Sequence, residues 1–389
     1  MAGLYVHVPF CRSRCVYCGF YSTTLNSLHD RYIEALGQEM SLRRNYLGEP
    51  IQTIYIGGGT PSTLSDDALQ RLFALIRQFV ARQNGYKGML AGEEADMFSG
   101  LEVTVECNPD DITPEKAACL RRLGVNRVSM GIQTFDDGRL RFIRRRHTAR
   151  QACEAFRCLR EHGFGNISID LMFGFPNETA NDWQRDMEEA LLLEPEHISA
   201  YSLMIEEGTP LKAMADEGKI EETDEETSRA MFETLCTLMT SAGYEHYEIS
   251  NFARQGFRSR HNSSYWRAVP YIGLGAAAHS YDGTSRQWNV DNIDDYINII
   301  GIGKVPCERE LLDTPTQYND LMTTAMRTKE GVSLEYIEQK LGKKYLEYIM
   351  KEAEKFIDKG LLTLSDNRLS LSHEGIFISD SIISELIYA

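Results

Sequence analysis

Apolar and polar positions follow two different rhythms along this chain. Short apolar runs at Leu4–Val8, Thr53–Ile56, Glu102–Glu106, Arg127–Met130, Ile167–Met172 and Ile198–Leu203 are too brief for helices and predict strands. Between them, Leu28–Leu42, Asp66–Val80, Pro114–Leu123, Arg150–His162 and Thr179–Leu193 carry apolar residues at helical spacing. Ser65, Thr113 and Thr179 stand where helix caps belong, with acidic residues just beyond that suit the positive end of a helix. Six strand–helix repeats imply a parallel sheet wrapped by helices, and in such folds chemistry gathers at the carboxyl ends of the strands. Six units close only part of the way towards an eight-stranded barrel, so the expected class is α/β with a partial (β/α)6 barrel.

After Asp294 the rhythm changes. Thr314–Arg327, Ser333–Leu341 and Lys344–Gly360 are helical, Leu361–Leu364 and Leu369–Leu371 read as a hairpin around Asp366-Asn367, and a last helix is expected over His373–Leu386. The tail is an α-rich, winged-helix-like unit with nothing catalytic in it. We divide the chain at 1–300 and 301–389. Asn84–Gly100, with four glycines, reads as a surface insertion.

Composition changes this picture little. The balance of 42% hydrophobic and 25% charged residues is that of an ordinary globular protein, and the net charge of −16 argues against nucleic acid as a partner. No leader-like start or apolar run of membrane-spanning length is evident, and six scattered cysteines read as buried thiols of a reducing compartment. A cytoplasmic protein is expected.

The other three cysteines carry the chemistry. Cys11, Cys15 and Cys18 form a C-x3-C-x2-C run, and no fourth ligand follows nearby, as a closed zinc site would require. A cubane iron–sulfur cluster held through three irons fits better and leaves one iron open. Other strand ends deliver further polar or glycine-rich features to the same rim. Gly57-Gly58-Gly59-Thr60-Pro61 follows the second strand, and Glu106, Gln133 and Asp170 end or interrupt the third, fourth and fifth. Asp170 lies within an apolar run and needs either an ion-pair partner or a ligand. Of the basic cluster Arg139–His147, most is expected on a solvated face, with one arginine available to clamp a ligand carboxylate.

Tyr5-Val6-His7-Val8-Pro9-Phe10-Cys11, the cysteine run and Gly-Gly-Gly-Thr-Pro together resemble the radical S-adenosylmethionine (SAM) proteins. Within them, the chain is similar to the branch of oxygen-independent coproporphyrinogen III oxidases (HemN) and haem chaperones (HemW), tail domain included. The resemblance implies a [4Fe–4S] cluster on Cys11, Cys15 and Cys18, with SAM on the open iron. It also implies SAM contacts from Tyr5, Tyr17, Gly58, Gly59, Thr60, Glu106, Gln133, Arg145 and Asp170.

Three features favour the chaperone side of the branch. Phe20 stands where the oxidases usually carry a further cysteine, only ten residues precede Cys11, and His261-Asn262-Ser263-Ser264-Tyr265-Trp266 matches an HNxxYW motif associated with haem. This resemblance implies a haem-contacting stretch at about 245–290. There His261 would be the axial ligand, Tyr265 and Trp266 flat apolar faces, and Arg254, Arg258 and Arg260 propionate partners. His279 is a rival ligand, and His261 and its neighbours could equally pin a loop and fill the core. Haem and haem-acceptor proteins are the implied partners, with a homodimer possible. The competing expectations are a radical coproporphyrinogen decarboxylase and, behind it, a related methyltransferase or haem-degrading enzyme.

Overall fold

Each of the six apolar runs forms a strand: β1 (Ala2–Val8), β2 (Ile51–Gly58), β3 (Glu102–Cys107), β4 (Arg127–Gln133), β5 (Ile167–Phe173) and β6 (His197–Ser202). They pair in parallel in chain order in a computed structural model that describes residues 1–85 and 97–388. The connecting helices are α1 (His29–Leu42), α2 (Asp66–Gln83), α3 (Pro114–Arg122), α4 (Asp137–Phe142), α5 (Ala149–Glu161) and α6 (Ala180–Leu192). Ser65, Thr113 and Thr179 cap α2, α3 and α6 by accepting from backbone N–H groups of Ala68, Lys116 and Asp182. Much of the expected glycine-rich insertion, residues 86–96, lies outside the described residues. Its start is anchored, since the Asn84 side chain bonds both the N–H and the C=O of Ile51.

The second half of the large unit was not legible as elements. It contributes α7 (Pro210–Asp216), α8 (Glu225–Ser241), β7 (Glu245–Glu248), β8 (Asn251–Ala253), α9 (Arg260–Trp266), β9 (Tyr271–Leu274), β10 (His279–Tyr281), β11 (Ser285–Asn289), α10 (Ile293–Gly301) and β12 (Cys307–Leu311). The new strands extend the sheet at both edges in the order β12-β11-β10-β9-β1-β2-β3-β4-β5-β6-β8-β7. The ends stay apart, so the sheet is a half-barrel and does not close.

Strand alternation sorts the residues into two layers. Leu4, Val6, Ile54, Ile56, Val103, Val105, Val128, Met130, Ile167 and Ile169 face outward and are buried in the main core. The inner face is polar: Thr53, Glu102, Thr104, Arg127, Ser129, Ser168, His197 and Ser199 are buried there. Polar groups without water need partners, and α9 supplies them at the amino ends of the strands. The Glu102 carboxylate accepts from the N–H groups of Arg260 (2.9 Å) and His261 (2.8 Å), and Ser259 Oγ accepts from Asn262 N–H. An acid thus meets the positive end of the helix that floors the half-barrel.

The tail has its own core, in which Tyr318, Met322, Ile337, Ile349, Leu369 and Ile382 are buried. It comprises α11 (Thr314–Ala325), a long helix Lys343–Asp358, and a three-stranded sheet of β13 (Val332–Ser333), β14 (Leu362–Ser365) and β15 (Arg368–Leu371). Asp366 and Asn367 both take positive φ, as a two-residue hairpin turn demands. Two expected helices are interrupted. Leu334–Tyr336 runs into a π turn at Ile337–Leu341. The last helix divides into His373–Ile376 and Ser379–Leu386. The first piece presses Gly375 onto the Leu361 carbonyl, where no Cβ would fit, while the second buries Ile382, Ile383 and Leu386. No helix among the described residues is long and apolar enough to cross a membrane.

Glu102→Ala removes two charge-assisted bonds at a buried helix start, so unfolding in urea should show a loss of about 3 kcal/mol.

Candidate cofactor site at the mouth of the half-barrel

The loop after β1 carries the cysteines, and backbone bonds hold it in place. Cys11 N–H donates to Thr23 C=O, Thr23 N–H to Pro9 C=O, and Val16 N–H to Ile143 C=O. The glycine run after β2 lies directly beneath. Thr60 N–H donates to Phe10 C=O, and a Cβ on Gly59 would sit 2.7 Å from the Pro9 carbonyl carbon. Gly58 has φ +114° and no room beside the His7 ring. These glycines are therefore required to bring β2 against the cysteine loop.

Cys11 Sγ lies 3.6 Å from Thr60 Oγ1, and Cys11, Cys15 and Cys18 are all half-buried free thiols. Three thiolates on one loop can each take a different iron of a cluster. Burial pushes the Cys11 and Cys18 thiols up, so without a cation they stay protonated.

Around this loop the strand ends assemble a polar bed. Tyr5 Oη bonds His7 Nδ1 (2.9 Å), and His7 Nε2 meets the Tyr21 carbonyl (3.1 Å), tying β1 to the segment after the cysteines. Glu106 accepts from Tyr55 Oη (2.7 Å) and from Gly58 N–H (3.0 Å), and burial raises its pKa to about 7. Burial likewise raises Asp170 to about 6, while the charges of Arg127 and Arg145 oppose the shift. Among the described residues Asp170 makes no ion pair within 4 Å; the Ser129 hydroxyl donates to it at 3.4 Å and the Ser199 hydroxyl also holds it, so neutral donors and not a buried salt bridge surround this acid.

Of the basic cluster, Arg145 alone reaches the bed. It donates to Asn108 Oδ1 (2.6 Å) and Tyr17 Oη (3.3 Å), leaving a buried Nε unpaired. Arg139 is spent on Glu178, Asp182 and Asp186, and Arg146 on Asp110. Gln133 takes φ +72° where β4 is irregular against β5, and stands buried beside Gly131. The structure thus brings Thr60, Tyr17 and Arg145 beside the cysteines, while Tyr5, Gly58, Glu106, Gln133 and Asp170 follow on β1 to β5 of the same sheet, with Gly59 just past β2. Orphaned polar atoms at the bed, Arg145 Nε above all, fit a polar ligand such as SAM. Phe20, just outside, is 74% exposed, as is Met204 at 64%.

The HNxxYW residues lie elsewhere. His261 is 1% exposed, with Nδ1 on Thr53 Oγ1 (2.8 Å) and Nε2 on Tyr265 Oη (2.7 Å). Its ring stacks on Tyr55 at 5.1 Å, and burial holds its pKa at about 3. Trp266 packs against Tyr247. Arg254 covers the Tyr244 ring, Arg258 pairs with Glu245 and Glu330, and Arg260 donates to the Gly100 carbonyl. These residues form the floor beneath the bed, and His261 has no ring nitrogen free. Sequence reading missed Tyr55, the link between floor and bed, although period-two spacing with Gly57 places it on the inner face.

Residues 5–190 match the family model of the radical SAM superfamily, and 312–378 match the HemN C-terminal domain. The heme chaperone HemW of Bacillus subtilis is 34% identical over 100% of this chain and 99% of its own. The chain belongs to the HemW family of radical SAM proteins. The HemW of Lactococcus lactis is 32% identical, over 98% of this chain and 96% of its own. Coproporphyrinogen III oxidase (HemN) of Escherichia coli shares the fold at a TM-score of 0.82 and 21% identity, over 99% of this chain and 90% of that one. Membership in the radical SAM superfamily implies a [4Fe–4S] cluster and SAM.

Glu106 has a pKa raised by folding, so its contribution to stability is full below its unfolded value and is lost as pH rises through about 7. Between about pH 5 and 8, the cluster-free protein should lose on the order of 3 kcal/mol from this group. In Glu106→Gln, denaturant unfolding followed across that range should show a flatter profile.

Proposed function

We propose that this protein is a haem chaperone that holds one [4Fe–4S] cluster and SAM at the mouth of the half-barrel and passes haem to acceptor proteins. The observation that carries this reading is the full-length likeness to heme chaperones, tail included. Cys11, Cys15 and Cys18 hold the cluster. Tyr5, Tyr17, Gly58, Gly59, Thr60, Glu106, Gln133, Arg145 and Asp170 bind SAM, with His261, Tyr265 and Trp266 supporting the bed from below. When bound, the cluster and SAM would supply one-electron chemistry.

The chain's own contribution is positional. Arg145 presents a fixed guanidinium, suited to a ligand carboxylate in bidentate fashion. Glu106 and Asp170 offer carboxylates that ionise near neutral pH beside the cationic end of an amino acid. Gly58 and Gly59 keep backbone polar groups within reach. Tyr55 fixes the Glu106 carboxylate from the floor.

Anaerobic reconstitution tests both halves of this reading. Wild-type protein should take up about four irons with cluster absorption and bind haem stoichiometrically, while any of Cys11→Ala, Cys15→Ala and Cys18→Ala should abolish the cluster signal. Turnover of coproporphyrinogen III by the reconstituted protein would replace the chaperone reading with that of a decarboxylase. Arg145→Lys should weaken SAM binding by about tenfold or more in a direct titration, since a point charge does not reproduce the planar fork.

A further inference from the structure

We propose that His279, and not His261, is the residue that coordinates the haem iron, with Trp288 beside it as the flat contact for the macrocycle. The proposal rests on the chaperone reading above and goes on to assign its haem site. It starts from the ring nitrogens of the nine histidines. His261 and His197 have both nitrogens engaged inside the half-barrel. His7 is buried between Tyr5 and the Tyr21 carbonyl. His147 is buried, His246 is stacked on Phe252, and His29 and His162 stand at the start of α1 and the end of α5, in the helical layer outside the sheet. Among the described residues, His279 and His373 alone have no hydrogen bond on the ring. His373 stands on the tail against Phe377, away from the sheet.

His279 is exposed and sits on the inner face of the sheet. Tyr281 pairs with Tyr271, which pairs with Gly3, so these positions share one face with Tyr5. His279 lies two residues before Tyr281 and is therefore on that face too. Trp288 is its cross-strand partner on β11, and the two rings stack at 6.2 Å with 28° between planes. β10 begins at the mouth end of the half-barrel, because it follows the turn at the carboxyl end of β9. Two strand spacings, about 10 Å, separate it from Tyr5.

The backbone is shaped for this placement. A Cβ on Gly273 would lie 2.0 Å from the His279 carbonyl oxygen, so only glycine lets the start of β10 cross here. Ser280 Oγ then takes over the bonds of the displaced ladder, accepting from Gly273 N–H and donating to its C=O. Next to His279 and Trp288 on the same face stand Arg286, ion-paired with Glu310 and Asp320, and Glu308 opposite Trp288. The acidic side of the face is thus on β12, and the apolar side runs back over Tyr281 and Tyr271 towards the cofactor bed. An exposed neutral imidazole beside an indole provides the ligand and the stacking surface that an iron porphyrin takes.

The test is a haem titration of the full chain, reading the Soret band and the ferric spin state by electron paramagnetic resonance. His279→Ala should move the Soret band and raise the dissociation constant about tenfold or more. His279→Cys should replace the histidine-type spectrum with a thiolate-type one. Trp288→Ala should weaken binding several-fold with the Soret position kept. Wild-type binding together with unaltered spectra in His279→Ala and His279→Cys would overturn the assignment while leaving the chaperone reading in place. A wild-type protein that takes up no haem would overturn both.

Discussion

A half-open sheet with a polar inner face must find partners for that face, and the rest of this structure follows from how it does so. Helices cover the outer face with an apolar core, but Thr53, Glu102, Arg127, Ser168 and His197 point the other way and are buried. At the amino ends of the strands, α9 enters with its positive end on Glu102 and its His261 on Thr53. At the carboxyl ends the pairing is partial: Arg145 holds Asn108 and Tyr17 but keeps a buried Nε without a partner, and Asp170 has only neutral hydroxyl donors among the described residues. Polar groups arranged without full protein partners are what a bound, charged cofactor completes.

Floor and bed are mechanically connected. His261 stacks on Tyr55, Tyr55 donates to Glu106, and Glu106 accepts from Gly58 beside the cysteine loop. Gly58 in turn has no room for a side chain because the His7 ring lies against it. A motif some 150 residues downstream of Glu106 thereby sets the orientation of the carboxylate nearest the glycine run. This gives the HNxxYW stretch a structural role whatever contacts haem makes elsewhere. It also explains why a histidine with a depressed pKa, held by burial, sits under the site as a neutral, doubly bonded group.

The extension β9–β12 gives the inner face a second territory. Its strands continue the face of Tyr5 past β1, and their far end is met by the tail, where Asp320 of α11 pairs with Arg286. The tail therefore closes one end of this face and leaves the His279–Trp288 end towards the mouth. A porphyrin bound there would lie beside the cofactor bed without entering the half-barrel. That arrangement allows cargo and cofactor to be near each other while each keeps its own set of side chains.

The sequence alone determined the parallel sheet and its helices, and it named the residues of the candidate bed. Strands β1 to β6 are short apolar runs between capped helices, and local spacing suffices to place Glu106 and Gln133 at strand ends and Asp170 inside its strand. The cysteine run and the glycine run are contiguous, so their chemistry is legible without a fold. Strands β7 to β12 and α9 were not legible, because they are short, polar on one face and held by pairing with partners far away in the chain. The same reason separates His261 from His279. Both are histidines near aromatic residues in the sequence, and only the tertiary structure decides which has its nitrogens committed to Thr53 and Tyr265 and which stands open beside Trp288.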